Sequence, residues 1–187
     1  MALNLELVGK EYPPLCYEVG REKLREFAHA LGEEAALYHD EEVAHAAGFP
    51  DLPAVPTFAV VISFQAGQAA YDDPELGLDY SRVVHGEQEL DYERPLCAGD
   101  RVVATTRVAA ATARGRHELL TLETRIRTEA GDPVCTTRST LIVRPARGGE
   151  PPAAGAEPQD APGTARPPDP GRDGAPAGVR EPSDGAR

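Results

Sequence analysis

Apolar residues recur along the chain at two different spacings, and the change from one to the other divides the sequence. Between residues 21 and 31, Leu24, Phe27, Ala28 and Leu31 fall three and four apart, the period of an amphipathic helix, and Gly32 follows in the usual C-terminal cap position. Upstream, residues 3–14 read as an extended segment, because Gly9 and the Pro13-Pro14 pair exclude a long helix, and Tyr17-Glu18-Val19 reads as a short strand entering a turn at Gly20. Asp40 is the expected N-cap of a second short helix over 41–47, closed by Gly48. Residues 49–56 carry too much proline for either regular state. Residues 57–70 are apolar nearly all round and predict a buried helix; a buried strand is the competing reading, opposed by the length and alanine content of the run.

From Val83 the period becomes two. Gln88, Leu90 and Tyr92 alternate with Glu87, Glu89, Asp91 and Glu93, and three further β-rich runs cover 102–111, 118–128 and 134–143. The joins Ala113-Arg114-Gly115-Arg116 and Ala130-Gly131-Asp132-Pro133 are hairpin-like. In the third of the four runs Leu120, Leu122 and Ile126 face one way and Glu123, Arg125 and Arg127 the other, the pattern of an antiparallel sheet with one dry and one solvated face. Helices followed by strands make an α+β domain, with one long buried helix that needs a curved sheet around it.

Composition sets limits on this picture. Of 187 residues, the domain is expected to occupy 1–145; residues 146–187 hold nine of the eighteen prolines and eight of the eighteen glycines, with Val179 the only branched or bulky apolar residue. Such a segment buries too little apolar surface to offset its ordering entropy, which predicts a disordered tail. The 1–145 segment has 24 acidic and 14 basic residues and no basic stripe, so nucleic acid is not an expected partner. An acidic carrier protein would need a local basic patch, for which Arg21, Lys23 and Arg25, or Arg114 and Arg116, are the candidates. No apolar run approaches a membrane span and no signal segment opens the chain, so a cytoplasmic protein is expected. Cys16, Cys97 and Cys135 form no metal or redox spacing with the scattered histidines; neither a metal nor another cofactor is expected.

The run Gly32-Glu33-Glu34-Ala35-Ala36-Leu37-Tyr38-His39-Asp40 bears the candidate chemistry. It resembles the Gly-Asp-x-Asn-Pro-aliphatic-His-x-Asp motif of MaoC-like (R)-specific hydratases and dehydratases, in which Asp and His share the proton work. Here Glu33 stands at the Asp position and Tyr38 at the His position, while Gly32, Leu37 and Asp40 keep the frame and Ala35-Ala36 replace Asn-Pro. A base for the C2 proton of a 3-hydroxyacyl thioester works best near the working pH. His begins at about 6.5 and Tyr at about 10, so Tyr38 stays protonated and can only donate. Glu33 adds a methylene, and misplacement by about 1 Å can cost roughly a hundredfold in rate. His39 lies one residue out of frame, so its side chain takes a different direction.

With Pro56-Thr57-Phe58 at the entry to the apolar run and Arg94-Pro95-Leu96-Cys97-Ala98-Gly99-Asp100-Arg101 before a strand, the motif makes 3–143 similar to the N-terminal MaoC-like dehydratase family. The resemblance is closest to the A-type, non-catalytic subunit of the actinobacterial two-subunit (3R)-hydroxyacyl-ACP dehydratase. It implies a hotdog fold and a heterodimer with a catalytic B-type hotdog subunit that carries an intact Asp and His. The substrate it implies is an acyl thioester of acyl carrier protein or CoA, from fatty-acid or polyketide synthesis, with Pro56, Thr57, Phe58, Val61 and Phe64 lining or supporting an acyl tunnel. Ordinary core is the competing reading for Val61 and Phe64. Two other functions stay open: a self-sufficient homodimeric hydratase using Glu33 and His39, and a non-catalytic module that binds acyl thioesters.

Overall fold

The computed structural model describes residues 3–145; the expected tail, 146–187, lies outside them. Five strands form one antiparallel sheet: β1 (Leu15–Glu18), β2 (Val83–Tyr92), β3 (Arg101–Arg114), β4 (His117–Thr128) and β5 (Pro133–Val143), in the spatial order β1-β3-β4-β5-β2. The short β1 and the ten-residue β2 are therefore the sheet edges. Four helices precede or interrupt the strands: α1 (Arg21–Ala30), α2 (Glu41–Ala46), α3 (Ala59–Ala66) and α4 (Gln68–Tyr71). The sheet wraps α3, which touches β1, β3, β4 and β5. This is the helix-in-sheet arrangement expected of a hotdog domain.

Why α3 sits there follows from its residues. Ala59, Ile62 and Ala66 turn one face to the sheet, and the small alanines let the helix approach closely. Phe58, fully buried just before α3, meets Phe27 edge-to-face at 5.3 Å and Tyr17 at 6.3 Å, joining α1 and β1 to the same core. Leu52, Leu96, Val102, Ile126 and Val134 complete this cluster. A second cluster at the opposite end of the sheet gathers Leu3, Tyr12, Leu76, Val108, Leu120 and Leu122.

Five sequence expectations are corrected. The 57–70 run is not one helix but a 3-10 turn (Pro56–Phe58), α3 and α4, separated at Gly67. A side chain at Gly67 would meet the Ser63 carbonyl at 3.1 Å and the Tyr71 ring at 3.3 Å. Nor is the helix dry all round: Phe64 is 49% exposed, because no described element covers the side of α3 turned from the sheet. The first strand begins at Leu15 and ends at Glu18. Residues 3–14 are pinned rather than simply extended, through a 3-10 turn (Leu5–Leu7) and the Lys10 and Tyr12 side chains, both 2.8 Å from Asp73 Oδ2.

The last correction concerns the outer face of the sheet. Arg107, Glu123, Arg138 and Glu89 lie directly opposite one another on β3, β4, β5 and β2, making a row of alternating charge. Glu123 is only 5% exposed: Arg107 Nε donates to Oε1 at 2.9 Å, Arg125 Nε at 3.1 Å, and Arg138 Nε donates to Oε2 at 3.0 Å. Alternation places Glu123 on a solvated face, but three arginine side chains converge on its carboxylate and it is buried there. Beside this row β2 carries a bulge between His85 and Glu87, at Gly86, where a Cβ would come within 3.0 Å of the Ile142 side chain.

Burial pushes the Glu123 carboxyl up, but hydrogen bonds from Arg107 and Arg138 and the charges of Arg107 and Arg125 outweigh it and leave the net shift downward from 4.5. A folded pKa below the unfolded one means stabilisation that is complete above the unfolded value and is lost as pH falls through the folded value. We expect Glu123→Gln to destabilise the domain by about 1–3 kcal/mol at neutral pH, since three cations lose their shared partner. In thermal melts the difference from wild type should shrink as the pH is lowered through and below the glutamate range.

Candidate functional site

The altered motif occupies the loop between α1 and α2. Gly32, at φ +70°, ends α1 in the left-handed conformation glycine adopts without steric cost, and Glu33 N–H then donates to the Ala28 carbonyl at 2.9 Å. A 3-10 turn (Ala36–Tyr38) follows, and Asp40 caps α2, its Oδ1 accepting from Glu42 N at 2.8 Å and Val43 N at 3.3 Å. Leu37 anchors the loop on the first core cluster. Within this frame the Glu33 carboxylate accepts from Ala35 N at 3.0 Å, and His39 Nε2 lies 2.6 Å from the Glu33 carbonyl oxygen. Both polar side chains are thus engaged by the loop's own backbone. Tyr38 is half-buried and its hydroxyl has no hydrogen-bond partner among the described residues.

The basic cluster near this loop is neutralised. Arg21 is held by Asp51 at 2.6 Å and Glu41 at 3.2 Å, Arg25 by Glu22 and Glu41, and Lys23 by Glu26. Arg114 and Arg116 are exposed at the β3–β4 hairpin.

At the entry to α3, Pro56 and Thr57 are exposed and the Tyr92 hydroxyl donates to the Pro56 carbonyl at 2.6 Å. A pocket of about 280 Å³ opens here, between Pro56, Ala54, Tyr92 and the 93–96 segment. Arg94 forks onto Asp100 at 2.8 and 2.9 Å, and Asp100 also accepts from Cys97 N, so the turn before β3 is locked by one carboxylate.

The larger opening lies along α3 at the β2 edge, a groove of about 310 Å³. Because the Tyr92 hydroxyl holds the start of α3 near the end of β2, the helix runs back along β2 toward Val83. Val60, Ser63 and Phe64 form one wall; His85 and Gln88 on β2 and Ser139 on β5 face them. Gln88 Oε1 accepts from Ser139 Oγ at 2.5 Å. Toward Val83 the groove meets an aromatic group in which Tyr71 lies 5.4 Å from Phe64 and 5.5 Å from Tyr80. Burial, with the nearby Tyr80, pushes the Tyr71 phenol up to about 12, so it is a neutral donor at physiological pH.

The structure thus disperses the residues singled out in the sequence. Glu33, Tyr38 and His39 share one loop, Pro56 lines the pocket at the helix entry, and Phe64 lines the groove. Phe58 fills the core, and Val61 is half-buried against the same cluster. Tyr71, Tyr80, His85, Gln88 and Ser139 were not assigned a role from sequence. The available signal was polarity out of place, since Gln88 and Ser139, like His85, stand on an inner face that is otherwise mostly apolar or threonine.

The family model described as "FAS1-like, dehydratase domain region" matches residues 6–137. The chain belongs to this family. A UPF0336 protein of Saccharopolyspora erythraea is 51% identical over 145 residues, covering 77% of this chain and 93% of the relative. Among solved structures, a MaoC-like dehydratase superposes with a TM-score of 0.70 at 25% identity, covering 76% of this chain and 44% of that one. The truncated HadBC (3R-hydroxyacyl-ACP dehydratase) complex of Mycobacterium tuberculosis superposes with a TM-score of 0.63 at 24% identity, covering 71% and 92%. The fold of this dehydratase-family domain is therefore that of the MaoC-like hotdog proteins. Among its described residues no group of three His, Cys, Asp or Glu is placed to hold a metal, and no helix is long and apolar enough to cross a membrane.

The bond from Tyr92 to Pro56 ties β2 to the start of α3, which sets the mouth of the helix-entry pocket. Tyr92→Phe should cost about 1 kcal/mol of stability, read as a lowered denaturation midpoint with unchanged denaturant slope.

Proposed function

We propose that this chain is the non-catalytic subunit of a two-subunit (3R)-3-hydroxyacyl-thioester dehydratase, lining the acyl-chain site while a partner hotdog subunit supplies the acid and base. The observation that carries this reading is the largely apolar groove at the β2 edge, with Phe64 at its rim, together with a motif loop whose Glu33 and His39 side chains are engaged by its own backbone. Its substrate is an acyl thioester of carrier protein or CoA, in fatty-acid or polyketide synthesis in the cytoplasm.

The chemistry divides accordingly. Dehydration removes a proton from C2 and protonates the C3 hydroxyl as it leaves, so the proton taken by the base balances the one given to the departing water. The partner's Asp and His perform both transfers. This chain holds the acyl tail against Val60 and Phe64, and its exposed Pro56-Thr57 entry to α3 stands where main-chain N–H groups can meet a thioester carbonyl. That the HadBC protein is by name a dehydratase complex supports a paired assembly.

Hydration of crotonyl-CoA, followed by loss of absorbance, tests the reading. The isolated protein should be inactive, and co-expression with a hotdog subunit bearing the intact Asp and His should yield turnover. Activity of the isolated protein that Glu33→Ala and His39→Ala abolish would establish the homodimeric hydratase instead. Tight thioester binding without turnover in any pairing would establish a binding module. Within the active pair, Phe64→Ala should raise KM for long acyl chains roughly tenfold with kcat nearly unchanged, because the lost apolar contact is made in ground state and transition state alike.

A further inference from the structure

The open edge beside the groove combines three features. Among the described residues its backbone is unpaired on one side along β2, where β5 is its only neighbour. Exposed apolar side chains flank its start on both faces, Val84 at 43% exposure on the outer face and Tyr80 at 53%, with Phe64 of α3, on the groove side. Its outer face carries Glu87, Glu89 and Asp91 in a row, all exposed. Arg138 reaches Glu89 at 3.1 Å, whereas neither Glu87 nor Asp91 has an ion-pair partner among the described residues.

An unpaired edge with an apolar flank is a template for another strand, and acidic side chains decide which strand can add to it. From Glu87 to Asp91 the register with β5 is regular, so the three acids point to one face. In any two-fold antiparallel pairing that overlaps 87–91 with its own copy and matches the faces of the two strands, at least one acid stands directly opposite another. Pairing at Glu89, for example, opposes Glu87 to Asp91 twice and Glu89 to itself. The formal charge of −12 on each chain adds long-range repulsion.

We propose that the acidic outer row of β2 excludes self-pairing and selects a hotdog subunit whose own edge strand presents Lys or Arg on its outer face. This rests on the two-subunit reading above and names the chemistry of the second subunit. Strand pairing and apolar contacts around Val84 hold the pair, and the charge row sets who may join.

The test needs neither substrate nor catalysis, so its failure is separate from failure of the dehydratase reading. A charge-reversed variant, Glu87→Lys with Asp91→Lys, has the same fold with a basic edge and serves as the probe; Glu89 is kept for its bond to Arg138. Sedimentation equilibrium on the full chain should find each protein alone largely monomeric at micromolar concentration in 0.1 M salt. The equimolar mixture should associate at least tenfold more tightly than either protein alone, and that gain should fade at 1 M salt, where screening acts within about 3 Å. The neutral variant Glu87→Gln with Asp91→Asn should self-associate more strongly than wild type, and it keeps the idea testable if the reversed variant does not fold. A wild-type dimer indifferent to salt and to neutralisation, or a mixture no tighter than its components, would overturn the proposal.

Discussion

The close approach of α3 to the inner face of the sheet is the contact on which everything else depends. It requires small residues on one helix face, Ala59 and Ala66, with Ile62 between them and Phe58 wedged in at the helix start. Through Phe58 the same contact orients α1, and through α1 the loop that carries the altered motif. With the helix in place, its other face is committed to the open side, and the groove against β2 is the space left between Phe64 and the sheet edge. Core packing therefore positions the candidate site, and of the residues singled out in the sequence only Phe58 takes part in the deepest layer.

Much of this architecture is legible in the chain because local and global signals agree. The three-and-four spacing of Leu24, Phe27 and Ala28, Asp40 as a cap, and the period-two runs from Val83 all specify elements found in place. The apolar run at 57–70 is legible as a helix but not as a broken one. The break falls at Gly67, where a side chain would crowd the Ser63 carbonyl and the Tyr71 ring, a closeness that spacing alone does not convey. Likewise, alternation alone marks Glu123 as solvent-facing, and only the cross-strand register shows three arginines converging on it.

The site is less legible than the fold. A motif is a statement about which side chains a loop carries, whereas chemistry depends on where they are free to reach. Glu33 and His39 are turned to the loop's own backbone, something no spacing rule conveys. The groove, conversely, is assembled from positions far apart in sequence, with Ser63 on α3 facing Gln88 and Ser139. Only the odd polar residue on an apolar face marks it in advance.

The bulge at Gly86 has a wider meaning. In an uninterrupted strand, His85 and Glu87 would share a face; the extra residue inverts the parity of everything before it relative to everything after. His85 and Gln88 therefore both look into the groove while Glu87, Glu89 and Asp91 all look out. One unpaired residue, at a position where a side chain would crowd Ile142, separates the surface that meets a ligand from the surface that meets another protein. The two can then diverge independently in descendants of this chain, since a change to the acids leaves the groove lining untouched.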